Sequence, residues 1–140
     1  MTKTLTTLIK LSRRQMDDLR HDLNVILDKK EELLAEKRAL HDALRQEQET
    51  FALMPETQYA YSNFAMNIRI KQENLDRFVA VLEAQAEAMM EKIAEAFQEL
   101  KRYEILLDIK KKAAEDEGKR RERIEMDEIG QELHRRKEVD

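Results

Sequence analysis

The sequence predicts an all-α fold, a long antiparallel two-helix coiled-coil hairpin with an overhanging C-terminal helix. Three observations predict it. Apolar residues recur three and four apart over long stretches. Turn formers are nearly absent, with Gly 2 and Pro 1 in 140 residues, and 40% of the chain is Asp, Glu, Lys or Arg. The single proline, Pro55, splits the apolar repeat into two runs of unequal length. Such a composition belongs to long charged helices that bury a seam, not to a globule with a broad core. The expectation is one elongated domain over residues 1–140, with helix one at about 4–54, a turn at about 55–60 and helix two at about 61–136.

Helix one starts near Thr4 or Thr6 and carries the stripe Leu5, Ile9, Met16, Leu19, Leu23, Ile26, Leu33, Leu40, Leu44 and Phe51. Leu8, Leu27 and Leu34 widen that face. Lys30 and Lys37 fall on seam positions. Their methylene stems can lie over the seam while the ammonium groups reach water, and polar seam residues can also fix register. The break is Met54-Pro55-Glu56-Thr57. Proline removes a backbone donor and disfavours helical geometry at the residue before it, yet suits the start of the next helix. Thr57 or Ser62 is the candidate cap of helix two.

Helix two is organised on Leu75, Val79, Leu82, Ala86, Met89, Ile93, Ala96, Leu100, Tyr103 and Leu107. No glycine or proline interrupts this seam, and a helix with such a stripe needs a partner to cover it. At 1.5 Å per residue helix one spans roughly 75 Å and helix two roughly 110 Å, so the two cannot match end to end. A turn near Pro55 sets Leu5 opposite the region of Leu107 to Ile109. Beyond Leu107 the same heptad positions carry Lys110, Ala114, Glu117, Arg121, Ile124 and Glu128. The stripe weakens about where helix one runs out, which favours a hairpin over a parallel dimer.

Two regions lie outside this frame. The tail from Lys110 mixes Lys110-Lys111-Lys112 and Lys119-Arg120-Arg121 with Glu115-Asp116-Glu117, and Gly118 and Gly130 loosen it. Met126, Ile129 and Leu133 form a second, short apolar row off the first register. This pattern fits an intermolecular contact and also a solvated tail. At the turn end, Phe51, Tyr59, Tyr61 and Phe64 are four of the seven aromatic residues, with Met54 and Met66 beside them. They can plug the tip or form a docking surface.

Several function classes are disfavoured. Cys 0 removes disulfides and thiolate metal sites. His21, His41 and His134 have no ligand spacing, and no phosphate loop, nucleophile elbow or triad is present, so neither an enzyme nor a cofactor or metal site is expected. The net charge is -4 with both signs interspersed, which points away from nucleic acid. The N-terminus lacks an apolar h-region, and no run of about 18 apolar residues exists, so neither a cleaved signal peptide nor a membrane span is expected.

Three local stretches carry a family resemblance: Tyr61-x-x-Phe64-x-x-x-Ile68 after the turn, Lys101-Arg102-Tyr103-Glu104-Ile105-Leu106-Leu107, and Arg121-Glu122-Arg123-Ile124-Glu125-Met126-Asp127-Glu128-Ile129. With the hairpin pattern, the chain resembles the FliJ family of flagellar export proteins and its type III secretion counterpart YscO. The resemblance covers nearly the whole chain, and its last segment is the most distinctive. Glu125-Met126 departs from the family, where basic or small residues are also common.

That resemblance implies a cytoplasmic, non-enzymatic component of flagellar (type III) protein export, peripherally associated with the inner-membrane apparatus. It implies a central stalk that binds the hexameric export ATPase, contacts the export gate protein (FlhA-like) and handles export chaperones. On it, Phe64, Ile68, Gln72 and Leu75 match the gate-docking row, with Lys71 adjacent. Arg13, Arg14, Arg120, Arg121 and Arg123 are the ATPase-facing candidates, because the paired termini and tail would form the ring end. The competing readings are a generic homodimeric coiled-coil scaffold or adaptor and a prefoldin-type chaperone. The second lacks the β-hairpin segments such subunits carry.

Overall fold

A computed structural model describes residues 2–139. Two long helices, α1 (Thr2–Leu53) and α2 (Gln58–Val139), are joined by a 3-10 turn at Pro55–Thr57 and form a two-helix hairpin. No strand occurs among the described residues.

The chain enters α1 through threonines that fit helix geometry by bonding backwards. The Thr6 and Thr7 hydroxyls donate to the carbonyls of Thr2 and Lys3, each at 2.9 Å. This is the local bond through which Ser and Thr are accommodated inside helices. The turn is closed by one carbonyl. Met54 O accepts from the Thr57 amide at 3.0 Å and from the Thr57 hydroxyl at 2.7 Å, while the Met54 amide donates to Thr50 O at 2.9 Å. The Thr57 hydroxyl donates to the turn behind it, and Ser62 lies within α2.

Burial follows the seam. Two compact units are distinguished, one built from residues up to Arg14 and from Ala96 onward, the other from Gln15–Glu95. In the first, Leu5, Ile9 and Ser12 of α1 and Ala96 and Leu100 of α2 are buried. In the second the buried residues are Met16, Ile68, Leu75, Val79 and Ala86. No described side chain is completely enclosed, as expected where two helices share one seam and both flanks stay wet. Ser12 completes the four-three repeat between Ile9 and Met16, so a polar residue holds a seam position that an apolar pattern passes over.

On α2 the last partly buried residue is Lys110. Every residue from 111 to 139 is exposed, although the helix continues without a break.

Candidate functional site

Polar contacts fasten the helices within each unit. In the first unit the Arg13 guanidinium donates to Glu104 Oε1 at 3.2 Å, and Lys101 Nζ donates to Glu104 Oε2 at 3.0 Å. Glu104 thus holds one cation from each helix. The hydrogen bonds from Lys101 and then Arg13 keep its carboxyl below the usual glutamate range. The Tyr103 phenol donates to Glu99 at 2.8 Å, and this bond to a carboxylate raises its pKa. Lys101 also sits 5.3 Å from the centre of the Phe97 ring.

In the second unit the two seam lysines reach carboxylates on the facing helix. Lys30 Nζ lies 3.3 Å from Glu83, and Lys37 pairs with Asp76. The lysines are one heptad apart, and so are their partners. Both lysines are half-buried, in keeping with stems laid over the seam and charged ends directed outward. At the turn end, Phe51 and Tyr61 stack with ring centres 5.2 Å apart and planes at 18°. These two aromatics plug the tip, whereas Tyr59 is exposed.

The four residues assigned to a docking row divide by burial. Ile68 is 4% exposed and Leu75 8%; Phe64 and Gln72 are half-buried. The row coincides with the hairpin's own seam. Ile68 and Leu75 are therefore covered within the hairpin, while Phe64 and Gln72 keep part of their surface open. A spacing of three and four marks residues that share one face, and it is silent on what covers that face.

The five arginines are all exposed. Arg13 is engaged with Glu104, and Arg120 and Arg121 each lie 3.6 Å from Glu117. These exposed pairs leave the cations within reach of another partner. Met126, Ile129 and Leu133 are 69%, 54% and 54% exposed. A second group was not singled out from the sequence: Ile105, Leu106 and Ile109 are exposed as well. They lie three and four apart and off the seam positions Tyr103 and Leu107, and that offset is the signal that could have found them.

A family model described as "Flagellar FliJ protein" matches residues 1–139. The chain belongs to the FliJ family. It is thus a coiled-coil component of flagellar biogenesis and type III protein export, and it acts with other export components. No match is found among curated proteins or among solved structures. Among the described residues no group of three or more His, Cys, Asp or Glu could hold a metal ion. No helix of the described residues is long and apolar enough to cross a membrane.

Proposed function

We propose that this FliJ-family chain is a non-enzymatic stalk of the export apparatus, and that its C-terminal tail enters the ring of the hexameric export ATPase. On this reading α1 and α2 form an antiparallel coiled coil, and α2 overhangs it beyond Lys110. The pairs Arg13–Glu104, Lys30–Glu83, Lys37–Asp76 and Phe51–Tyr61 support the antiparallel order, since rising positions on α1 meet falling positions on α2. What carries the stalk assignment is the burial boundary at Lys110, after which a continuous helix stays exposed from 111 to 139. That segment is about 43 Å long at 1.5 Å per residue, and a single helix is slim enough to enter a ring pore.

The exposed cations Arg14, Arg120, Arg121 and Arg123, with Arg13 beside Glu104, would face acidic groups of the ring. They would orient the encounter more than add affinity. The turn end would face the export gate protein, with the accessible parts of Phe64 and Gln72 contributing and Ile68 and Leu75 supporting them from the seam. Handling of export chaperones and a cytoplasmic position against the inner-membrane apparatus belong to the same reading. A homodimeric scaffold joined through the seam is disfavoured, because a single copy already covers Ile9, Met16 and Ile68.

The test is the triple variant Arg120→Glu, Arg121→Glu, Arg123→Glu, assayed by capture on the export ATPase and on the gate's cytoplasmic domain. ATPase capture and stimulation should fall while gate capture and helicity persist. Undiminished stimulation by the triple variant would refute the tail-first orientation.

A further inference from the structure

We propose that the helix ends gathered in the first unit carry a surface for an anionic lipid bilayer, centred on Leu8, Leu11, Leu106 and Ile109. The sequence supplies the first half of the argument. Residues 1–14 hold Lys3, Lys10, Arg13 and Arg14 and no Asp or Glu. Around the helix these four cations fall on one arc, and Leu5, Leu8, Ile9 and Leu11 fall on the other. A basic amphipathic helix of this kind suits a bilayer interface, with aliphatic side chains among the acyl chains and Lys or Arg at the headgroups. With residues 96–112 included, nine Lys or Arg stand against three carboxylates, in a chain whose net charge is -4.

The structure shows which part of the apolar arc is left over. Leu5 and Ile9 are buried in the seam, Leu8 is half-buried and Leu11 is 56% exposed. On α2, Leu106 and Ile109 are 46% and 59% exposed. On the antiparallel order above, these four residues share one side of the unit. Arg13 and Glu104 each follow a seam residue, Ser12 and Tyr103, and they meet on one side. Leu8 and Leu106 each precede one, Ile9 and Leu107, which sets them together on the opposite side. Leu11 and Ile109 lie one turn further on and farther from the seam.

Charge follows the same division. Glu104 and Asp108, four residues apart, lie on the side of the clasp, and Glu99 accepts from the Tyr103 phenol. Arg102, four residues before Leu106, stands on the apolar side. Arg14 and Lys112, three residues beyond Leu11 and Ile109, stand at its edges. An aliphatic strip with a cationic rim complements an anionic membrane surface. Shape favours a bilayer over a helix laid in the furrow between α1 and α2. Exposure rises outward from Leu8 to Leu11 and from Leu106 to Ile109, so the apolar surface reaches the crests of both helices. A plane meets crests first, whereas a helix in the furrow would leave them wet. Each helix contributes about one turn, so the contact is shallow, reversible and salt-sensitive. It rests on the antiparallel order and not on the stalk assignment, and Arg102 and Lys112 are not among the cations given to the ATPase ring.

The test is co-sedimentation with vesicles of equal parts phosphatidylglycerol and phosphatidylcholine, with pure phosphatidylcholine vesicles as the reference. Wild type should sediment with the anionic vesicles alone, and added salt should release it. The pair Arg102→Gln, Lys112→Gln should lower the partition about 25-fold, roughly fivefold for each cation removed. The pair Leu11→Ser, Ile109→Ser should lower it about tenfold with helicity kept. Capture on the export ATPase should be unchanged in both, which separates this contact from the tail-first reading. The chain contains no cysteine, so a polarity-sensitive fluorophore can be placed on Leu11→Cys or on Lys10→Cys. Anionic vesicles should move the first label into an apolar medium and leave the second in water. Equal partition onto neutral vesicles, or undiminished partition of either double variant, would overturn the proposal. So would a Leu11→Cys label that stays in water with vesicles; its shift with rising protein concentration or with the export ATPase would assign this side to a second copy or to a protein partner instead.

Discussion

The two ends of α2 have the same helical backbone, and they differ in charge density and in burial: 18 of the 29 residues 111–139 are Asp, Glu, Lys or Arg against 14 of the 47 residues 61–107. From Tyr61 to Leu107 the helix has a row of residues three and four apart, apolar except at Gln72, and that row is buried or half-buried. From 111 to 139 it again carries apolar residues at helical spacing, and all of them are exposed. Helical periodicity therefore reports which residues share a face, and not whether the face has a cover. In the tail, local pairs take part of the role that packing has elsewhere: Arg120 and Arg121 with Glu117, Arg136 with Glu132, and His134 with Glu138. Exposed pairs of this kind are each worth about 0.3–0.5 kcal/mol, less than a buried aliphatic side chain contributes.

The largest difference between the two stretches should appear on truncation. Ile68→Ala removes one of the most buried side chains of the seam and should cost about 2–4 kcal/mol by chemical denaturation. Ile129→Ala, at an exposed tail position, should stay within about 0.5 kcal/mol in the same assay on dilute protein. Equal losses would mean that the tail is packed in solution.

A smaller effect should come from stiffening the tail. Gly118 has open space where a Cβ would sit, so Gly118→Ala should gain about 1 kcal/mol of local helix stability. Amide exchange should slow around residue 118 and stay unchanged near Ile68. Faster exchange in the variant would show that the glycine conformation is required.

The smallest effect should be one of pH. Interactions with Lys101 and Arg13 depress the folded-state pKa of Glu104. A depressed carboxylate contributes stability above its unfolded pKa, and that contribution is lost as pH falls through the folded value. Wild type should therefore lose stability in the acid range below the ordinary glutamate pKa, and Glu104→Gln should flatten that part of the profile. Parallel acid profiles would rule out the clasp as a contributor.

Much of this architecture was legible in residue order. The four-three repeat specifies helices, Pro55 marks the turn, and the weakening of the stripe past Leu107 lies close to the burial boundary at Lys110. Legibility ended where two meanings share one pattern. Ile68 and Leu75 carry the spacing of a docking row and of a seam, and burial assigns them to the seam. A hydroxyl carries no hydrophobic signal, so an apolar pattern does not mark Ser12, although its heptad position places it in the seam. Ile105 and Ile109 stand beside the seam residues Tyr103 and Leu107 in residue order, and that proximity hides a rotation of about 100° per residue around a helix.

By itself the sequence determined the helical class, the position of the break and the rows of apolar residues, because these depend on local propensity and on a period that any helix must have. Only the tertiary structure decided which rows are covered, which cation meets which carboxylate and where burial ends on α2. Those outcomes depend on the register between segments far apart in the chain, and a repeat of seven is nearly the same after every shift of seven. The Arg13–Glu104, Lys30–Glu83 and Lys37–Asp76 pairs distinguish one register from its neighbours. They become visible only when both helices are in place.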